Sequence, residues 1–326
     1  MTSVIRPDAA GESGLPPDVA GTVVTVGTFD GVHRGHRHVL DRLVARAQAA
    51  GLRSALLTFE PHPLEVVRPG RAPLLLTDRD EKLEALATTG VDYVAVLPFT
   101  PALQAMSAAE YVRRVLRGRL RMRELLVGAD HGFGKGREGN VATLRALADA
   151  EGFGVEVVSR VSGPSGTRLS SSVARDAVAR ADLDAAAVVL GRPYAMLGRV
   201  GRGEQRGREL GFRTLNLEPP SPRKLLPPEG VYAVRTATPS GTFAGMMNLG
   251  PRPTFGDART GLEVHLFDAE GDWYGAPVRV EFVRRLRDTR RFENAGALVA
   301  QLGRDEAEAR AVLASPRAGG GAEGAP

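Results

Sequence analysis

Two histidines, His33 and His36, stand three residues apart at the end of a glycine-rich stretch that begins at Gly27. β-favouring residues precede the glycines and apolar residues recur at helical spacing after His36, which predicts a strand, a turn and a helix in that order. Unpaired backbone N–H groups and the positive end of the helix dipole favour an anion at such a helix start. An imidazole there can stabilise charge that develops on a phosphoryl oxygen. The stretch therefore predicts a phosphate site in which the two histidines share one face of the first helical turn.

His62 and a long glycine-rich loop are the next candidates. His62 follows a predicted strand at residues 55–59, and prolines on both sides of it predict a position on a loop. In open parallel sheets, this is the edge where ligands bind. The loop at residues 128–139 combines glycines, basic residues and an aromatic ring, a composition that suits a planar, phosphorylated ligand. A mobile surface loop is the alternative.

In the second half, polar residues concentrate around a basic glycine-rich loop at residues 201–212. Thr214 and Asn216 follow it directly, and such neutral oxygen donors are ligands that Mg²⁺ accepts together with nucleotide phosphates. Further along, Glu263 lies in a predicted strand beside His265. A glutamate on an antiparallel strand more often simply faces water.

The elements that must position these residues predict two domains. Strands alternate with helices in the first half, which predicts a Rossmann-like α/β domain with a parallel sheet at residues 22–188. Short strands separated by glycine or proline predict an antiparallel β-barrel at residues 189–314, closed by a helix at residues 295–313. Residues 1–21 and 315–326 are expected to be disordered, because they lack the apolar residues that would offset the entropy of ordering.

Composition limits the class of protein. The chain has 326 residues, of which 43% are hydrophobic and 25% are charged, and it contains no cysteine. No apolar run is long enough for a transmembrane helix and no secretory signal is evident, so a cytoplasmic location is expected. The net charge of +5 suits anionic substrates but forms no dense run, so neither a nucleic-acid partner nor a membrane is predicted.

The first half resembles a known family at four motifs. One is the loop at residues 128–139, which is similar to the G-x-D-x-x-F-G-x-x-R-x-G loop on the flavin side of that family. The run G-T-F-D-G-V-H-R-G-H resembles the nucleotidylyltransferase signature in the adenylyltransferase half of bacterial FAD synthetases, and T-F-E-P-H-P is similar to another of their motifs. Serines at a helix start are ordinarily caps, yet S-S-S-V-A-R resembles the second nucleotidylyltransferase signature. The resemblance implies catalysis by His33 and His36. It implies nucleotide contacts at Gly27, Phe29, Asp30, Gly35, Ser171, Ser172 and Arg175, and flavin contacts at His62, Asp130, Phe133 and Arg137.

The second half resembles the riboflavin kinase module, from R-G and L-G-F through E-V-H to L-R. This implies that Glu263 accepts a proton from riboflavin, that Thr214 and Asn216 bind Mg²⁺, and that the fold is the riboflavin kinase barrel. It also implies nucleotide contacts at Gly207 and Arg208, and flavin contacts at Arg287 and Phe292. The chain departs from the family pattern at Arg213 and Leu215, which replace proline and alanine.

Together the resemblances imply a bifunctional enzyme that phosphorylates riboflavin to FMN and then adenylylates FMN to FAD, with ATP as co-substrate of both steps. Two alternatives stay open at this point. The kinase could be silenced by Arg213 and Leu215, leaving FMN adenylyltransferase activity alone, or the barrel could bind flavin in a regulatory protein. The sequence leaves the oligomeric state, the preferred metal, the orientation of the domains and the order of substrate binding open.

Overall fold

The computed structural model describes residues 2–6, 14–129, 132–134, 138–201, 212, 214–219, 221–251 and 260–315. The chain divides into two compact units, Met1–Val173 and Ala174–Pro326. The division falls inside helix α8 (Ser171–Ala179).

The first unit is built on a six-stranded sheet in which every strand pair is parallel. Its strands are β1 (Ser3–Ile5), β2 (Thr22–Val26), β3 (Arg53–Glu60), β4 (Tyr93–Pro98), β5 (Met122–Gly128) and β6 (Gly154–Val158). Their order is β1-β4-β3-β2-β5-β6. The chain runs from β2 to β4 in one direction and then crosses to β5 on the other side of β2. This reversal creates a crevice at the carboxyl ends of β2 and β5, the usual ligand position in such sheets.

Helices connect the strands and cover both faces of the sheet. They are α1 (Arg34–Ala49), α2 (Pro63–Val67), α3 (Arg79–Ala87), α4 (Pro101–Ala105), α5 (Ala108–Glu110), α6 (Gly118–Leu120) and α7 (Val141–Glu151), with a π-helical segment at Tyr111–Arg117 joining α5 to α6. One apolar cluster packs α1 and α3 on one face, and a second packs the π-helical segment and α7 on the other. Burial on both faces explains why the strands are almost continuously apolar.

The extreme N-terminus corrects one expectation. Residues 1–21 were expected to be disordered, but Ser3–Ile5 form strand β1, which pairs in parallel with β4. The Ser3 N–H donates to the carbonyl of Asp92 at 2.8 Å, and Ile5 is 9% exposed. A single buried isoleucine and backbone pairing at a sheet edge are sufficient for a three-residue strand, and neither leaves a periodic signal.

The second unit is a closed antiparallel barrel of six strands in the order β10-β11-β8-β7-β12-β9. Its strands are β7 (Ala195–Gly201), β8 (Thr214–Glu218), β9 (Gly230–Thr238), β10 (Gly241–Pro251), β11 (Thr260–Leu266) and β12 (Pro277–Arg287), and helix α9 (Leu183–Leu190) precedes them. Alternate residues fill the interior, including Met247, Leu262 and Val264, which are fully buried. The predicted barrel is thus confirmed, although β8 was not among the strands expected.

Helix α10 (Ala295–Ala314) packs on the outer face of the barrel. Its Ala309 and Leu313 join Ala233, Met246 and Phe267 in an apolar cluster. The Arg235 guanidinium donates to the carbonyl of Leu313 at 2.7 Å. The remaining residues of the expected disordered tail, 316–326, lie outside the described residues.

Two candidate active sites

The loop that joins β2 to α1 is held in one conformation by its own residues. Phe29 and Val32 have positive φ angles of 49° and 38°, and both side chains are buried. A Cβ on Gly27 would lie 3.0 Å from the Phe29 ring. A Cβ on Gly35 would lie 3.1 Å from the Leu169 carbonyl oxygen, so a side chain at either glycine would press on its neighbour. The loop therefore presents the start of α1 at the sheet crevice in a fixed position.

His33 and His36 occupy the start of α1, but they play different parts. His33 is the N-cap residue, and its Nδ1 accepts the backbone N–H of His36 at 3.2 Å. The two rings stack with centroids 3.6 Å apart and an angle of 16° between their planes. His36 therefore lies in the first turn of the helix, whereas His33 precedes that turn. The two side chains were predicted to share one face of the turn, and they lie together because their rings stack.

The surroundings of His36 favour a neutral imidazole. Burial, and next the charge of the neighbouring His33, lower the pKa of His36 well below its ordinary value. Its Nδ1 is enclosed and has no hydrogen-bond partner among the described residues. The Phe29 ring lies 4.9 Å from the His36 ring and completes this apolar surrounding.

Asp30 ties the loop to two neighbouring segments. Its carboxylate accepts the backbone N–H groups of Leu76 and Thr77 at 3.1 and 3.0 Å. Its carbonyl accepts the Ser171 hydroxyl at 2.8 Å. Asp30 was expected to contact nucleotide, and these bonds give its carboxylate a structural task in the loop.

The Ser-rich segment begins α8 beside this loop. Ser171 is the first residue of the helix, and the Ser170 hydroxyl accepts the Val173 N–H at 3.3 Å as a cap. Ser172 is exposed, and Arg175 follows one turn after Ser171 and is half-buried.

Two expected flavin contacts of the first unit, His62 and Phe133, lie in the segments that follow strands β3 and β5. His62 follows β3 and caps helix α2, with its Nδ1 accepting the Leu64 N–H at 3.2 Å. The prolines around His62 were expected to prevent any regular element, but Pro63 instead opens α2, because a proline at the first helical position loses no hydrogen bond. Phe133 lies after β5, where its ring packs 4.9 Å from that of Tyr111. Asp130 and Arg137 lie outside the described residues.

Lys82 is a residue of this unit that no sequence motif indicated. It lies on α3 and is 8% exposed. Its Nζ donates to the Phe59 carbonyl at 3.2 Å and lies 3.5 Å from the Thr58 hydroxyl, which itself donates to the Thr28 carbonyl at 3.1 Å. Burial lowers the pKa of Lys82, and the charges of Glu60 and Asp30 oppose that shift. α3 has no clear amphipathic period that would have marked the position.

The candidate site of the second unit lies on the outer face of the barrel. Glu263 of β11 is directly opposite Asn216 of β8 on one side and Asn248 of β10 on the other. His265 is opposite Thr214 in the same way. Directly opposite residues project from the same face of a sheet. The register therefore brings Glu263, Asn216, Thr214, His265 and Asn248 together.

This polar group borders an aromatic cluster. The ring of His265 lies 5.2 Å from that of Phe212 and 5.7 Å from that of Phe267. Glu263, Thr214 and Asn216 are half-buried. Within the ranges the structure describes, no three His, Asp or Glu side chains come together as a metal site. Gly207 and Arg208, the expected nucleotide contacts, and Arg213 lie outside those ranges.

Arg287 is occupied by a structural ion pair. Its guanidinium contacts both carboxylate oxygens of Asp305 on α10 at 2.6 to 3.0 Å. Asp305 is 1% exposed and also accepts the Gln301 amide at 2.7 Å. The Phe292 ring lies 5.8 Å from the Arg287 guanidinium and 5.0 Å from that of Arg290. The sequence missed Asp305, whose helical neighbours gave no reason to expect a buried acid.

Comparison with known proteins assigns one family to each unit. The family model described as FAD synthetase matches residues 15–173, and the one described as riboflavin kinase matches residues 190–313. The chain is 39% identical over 291 residues to the bifunctional riboflavin kinase/FMN adenylyltransferase of Escherichia coli strain K12, covering 89% of this chain and 92% of that protein. It is 41% identical over 305 residues to the protein of the same description from Pseudomonas fluorescens, covering 93% of this chain and 96% of that one.

A solved structure is similar over almost the whole chain. It is a crystal structure of a Streptococcus pneumoniae protein named as a macrolide-efflux protein, with a TM-score of 0.83 and 28% sequence identity. The match covers 94% of this chain and 98% of the other. In the part of this chain that the structure describes, no helix is long and apolar enough to cross a membrane.

Proposed function

The chain belongs to the bifunctional riboflavin kinase/FMN adenylyltransferase family, and we propose how its own residues carry the two reactions. The enzyme transfers the γ-phosphoryl group of ATP to riboflavin, giving FMN, and transfers the adenylyl group of a second ATP to FMN, giving FAD and pyrophosphate. The observation that carries this function is that each of the two family models matches one structural unit. We propose residues 22–188 and 189–314 as the two catalytic domains.

Adenylyl transfer takes place at the crevice beside β2 and β5. A phosphate oxygen of FMN attacks the α-phosphorus of ATP, and the bond from that phosphorus to the pyrophosphate oxygen breaks. FMN phosphate is already nucleophilic, so the step needs no general base. Positioning and electrostatic stabilisation supply the rate.

His36 and the start of α1 stabilise the charge that develops in this step. His36 is neutral at physiological pH, so it acts as a hydrogen-bond donor to a phosphoryl oxygen and carries no formal charge. His33 holds the ring of His36 in place by stacking and caps the helix. The backbone of Gly27, Phe29 and Gly35 lines the approach, while Ser171, Ser172 and Arg175 hold the departing pyrophosphate. His62 and Phe133, with Asp130 and Arg137, form the flavin side.

Phosphoryl transfer takes place on the outer face of the barrel. Glu263 accepts the proton of the riboflavin 5′-hydroxyl as that oxygen attacks the γ-phosphorus of ATP, and ADP leaves. Asn216 and Asn248 flank Glu263 and orient it. Gly207 and Arg208 contact the nucleotide, and Phe292 contacts the flavin.

The donor set of β8 fits Mg²⁺. The Thr214 hydroxyl and the Asn216 amide oxygen project from one face of the strand, and hard cations of this kind bind neutral oxygens together with phosphates and water. When bound, Mg²⁺ would neutralise charge on the ATP phosphates. We propose that Arg287 contacts the flavin beside Phe292 while its bonds to Asp305 hold α10.

The test is incubation of the purified protein with riboflavin, ATP and Mg²⁺, followed by chromatographic separation of riboflavin, FMN and FAD. We expect FMN to form first and FAD to accumulate. Formation of FMN without FAD would show that only the kinase is active. Conversion of supplied FMN without any conversion of riboflavin would show that only the adenylyltransferase is active. Binding of flavin without any turnover of ATP would contradict the enzymatic function.

A further inference from the structure

Lys82 is a buried cation beside the loop of the adenylyl-transfer site, and the reaction scheme does not use it. α3 places its Nζ at the carboxyl end of β3, next to the strand that carries the phosphate loop. Only 8% of the residue is exposed. Burying an ammonium group is costly unless it is paired or solvated by hydrogen bonds. Because burial of this charge is unfavourable, we expect that the charge of Lys82 contributes to the function of the site.

Two carboxylates, those of Asp30 and Glu60, lie near this ammonium group. The Asp30 carboxylate accepts the Thr77 N–H beside the start of α3. Glu60 follows Phe59, whose carbonyl Lys82 contacts. Burial lowers the pKa of Lys82, whereas both carboxylate charges raise it and the charge of Arg79 opposes them. Asp30 lies within the phosphate loop, and Glu60 is the last residue of β3. Both carboxylates therefore stand at the edge of the sheet that must accept a polyphosphate. Without a compensating cation, their charge would repel that substrate.

A hydrogen-bonded chain also connects Lys82 to the loop backbone. The ammonium group contacts the Thr58 hydroxyl, and that hydroxyl donates to the carbonyl of Thr28. Lys82 thus contacts the strand beside the loop rather than the crevice itself. It is placed to act on the site without touching a substrate.

We propose that Lys82 is a positioning residue for adenylyl transfer, which neutralises Asp30 and Glu60 so that the loop after β2 accepts the polyphosphate of ATP. The proposal rests on the adenylyltransferase function given above. It predicts an effect on binding of the anionic part of ATP. It predicts no effect on binding of the adenosine part of ATP and no effect on riboflavin phosphorylation.

The test compares Lys82→Met with wild type in binding of pyrophosphate and of adenosine, each measured by calorimetry on the full chain. We expect Lys82→Met to weaken pyrophosphate binding by about tenfold, on the order of one uncompensated charge near the site, and to leave adenosine binding unchanged. The KM for ATP in adenylyl transfer should rise by a similar factor, and Lys82→Arg should retain most of the affinity. Unchanged adenosine binding serves as the internal measure that the first unit is folded.

Two further variants separate charge from structure. Leu86→Ala removes a buried side chain of the same helix without changing charge. If it changes the ratio of pyrophosphate to adenosine affinity as Lys82→Met does, the effect is structural and the proposal fails. Glu60→Gln in the Lys82→Met background should recover part of the pyrophosphate affinity, because it removes one of the two repelling carboxylates.

Other outcomes are equally decisive. Unchanged pyrophosphate binding in Lys82→Met, with wild type forming FAD from FMN and ATP, would overturn the role of Lys82 alone. Absence of FAD formation by wild type would instead overturn the adenylyltransferase function on which the proposal rests.

Discussion

His33 and His36 of the first site have identical side chains, but their positions on the backbone give them different roles. The sequence H-x-G-H predicts only that they are near one another. His33 caps the helix through its Nδ1, so one of its nitrogens is committed to the fold. His36 lies inside the first turn with its Nδ1 enclosed and the rest of the residue half-buried. The Nδ1 of His36 has no hydrogen-bond partner among the described residues, and we assign His36 to the reacting phosphate.

The half-buried residue His36, with its lowered pKa, predicts a dependence of stability on pH. Its pKa in the folded protein lies well below that in the unfolded chain. The unfolded chain therefore binds more protons at acidic pH, and the free energy of unfolding falls as the pH falls through about 6.5, the ordinary value for histidine. We expect His36→Gln to lose less stability than wild type between pH 8 and pH 5.5. Urea unfolding of both proteins at several pH values measures this.

His38 provides the matched control for that measurement. It lies on the same helix but outside the stacked pair. His38→Gln is expected to keep the pH dependence of wild type. Equal slopes for wild type and His36→Gln would contradict the assignment of a neutral, half-buried His36.

Asn216 carries the prediction for the metal in the second site. Asn216→Ala removes an oxygen ligand, and we expect the Mg²⁺ concentration for half-maximal riboflavin phosphorylation to rise about tenfold or more, as found when groups supporting a metal are removed. Glu218→Ala is the control, since Glu218 is an exposed residue of the same strand. A normal Mg²⁺ requirement in Asn216→Ala would mean that the metal is held elsewhere.

At the level of elements, the sequence predicts best where hydrophobic periodicity is strong. α1, β3 and α10 form as expected because apolar residues recur at the spacing of their own helix or strand. β8 was not predicted, because its alternation of polar and apolar residues spans only five positions and directly follows a glycine-rich loop. The same pattern that hid the strand made Thr214 and Asn216 visible as ligands. The pairing of Arg287 with Asp305 could not be predicted from the sequence, because it joins a strand to a helix through tertiary contact alone.

Strand β1 gives a prediction at the edge of the sheet. Ile5 is buried against the core, whereas Val4 is 46% exposed on the other side of the strand. Ile5→Asp is expected to lower the free energy of unfolding by about 2 kcal/mol, because a carboxylate would replace a buried apolar group without a partner. Val4→Asp should change it by less than about 0.5 kcal/mol. Urea unfolding compares the two, and equal effects would show that β1 does not dock on the core.

The ion pair between Arg287 and Asp305 gives the second prediction at this level. Asp305→Ala leaves a partly buried guanidinium without its carboxylate and is expected to cost about 3 kcal/mol of stability. Replacing both residues together, Arg287→Met with Asp305→Leu, should recover much of that loss. Riboflavin affinity is measured in parallel. A variant Arg287→Met with unchanged stability and weakened riboflavin binding would support the flavin role that the sequence implied.

At the level of the whole molecule, we assign each reaction to a unit with its own core, although Arg175 of the adenylyl-transfer site lies just inside the second unit. The parallel sheet buries two apolar clusters in the first unit, and the barrel interior and the cluster under α10 serve the second. The residues assigned to phosphoryl transfer all lie in the second unit. FMN is the product of one unit and the substrate of the other, so it links the two reactions as a diffusible compound. The chemistry therefore requires both units but no residue shared between them.

This separation can be tested by complementation between two inactive variants. Glu263→Gln should slow riboflavin phosphorylation by roughly 10²–10⁴-fold, the usual contribution of a positioned base, and still convert supplied FMN to FAD. His36→Ala should convert riboflavin to FMN and stop there, because loss of a donor to the transition state costs about 10²–10³-fold. Neither variant alone should make FAD from riboflavin at an appreciable rate. A mixture of the two should do so, after a lag in which FMN accumulates in solution and is then consumed, as chromatography of timed samples would reveal. Loss of both activities in either folded variant, or a mixture that makes FMN but no FAD, would show that the reactions depend on one another within a single chain.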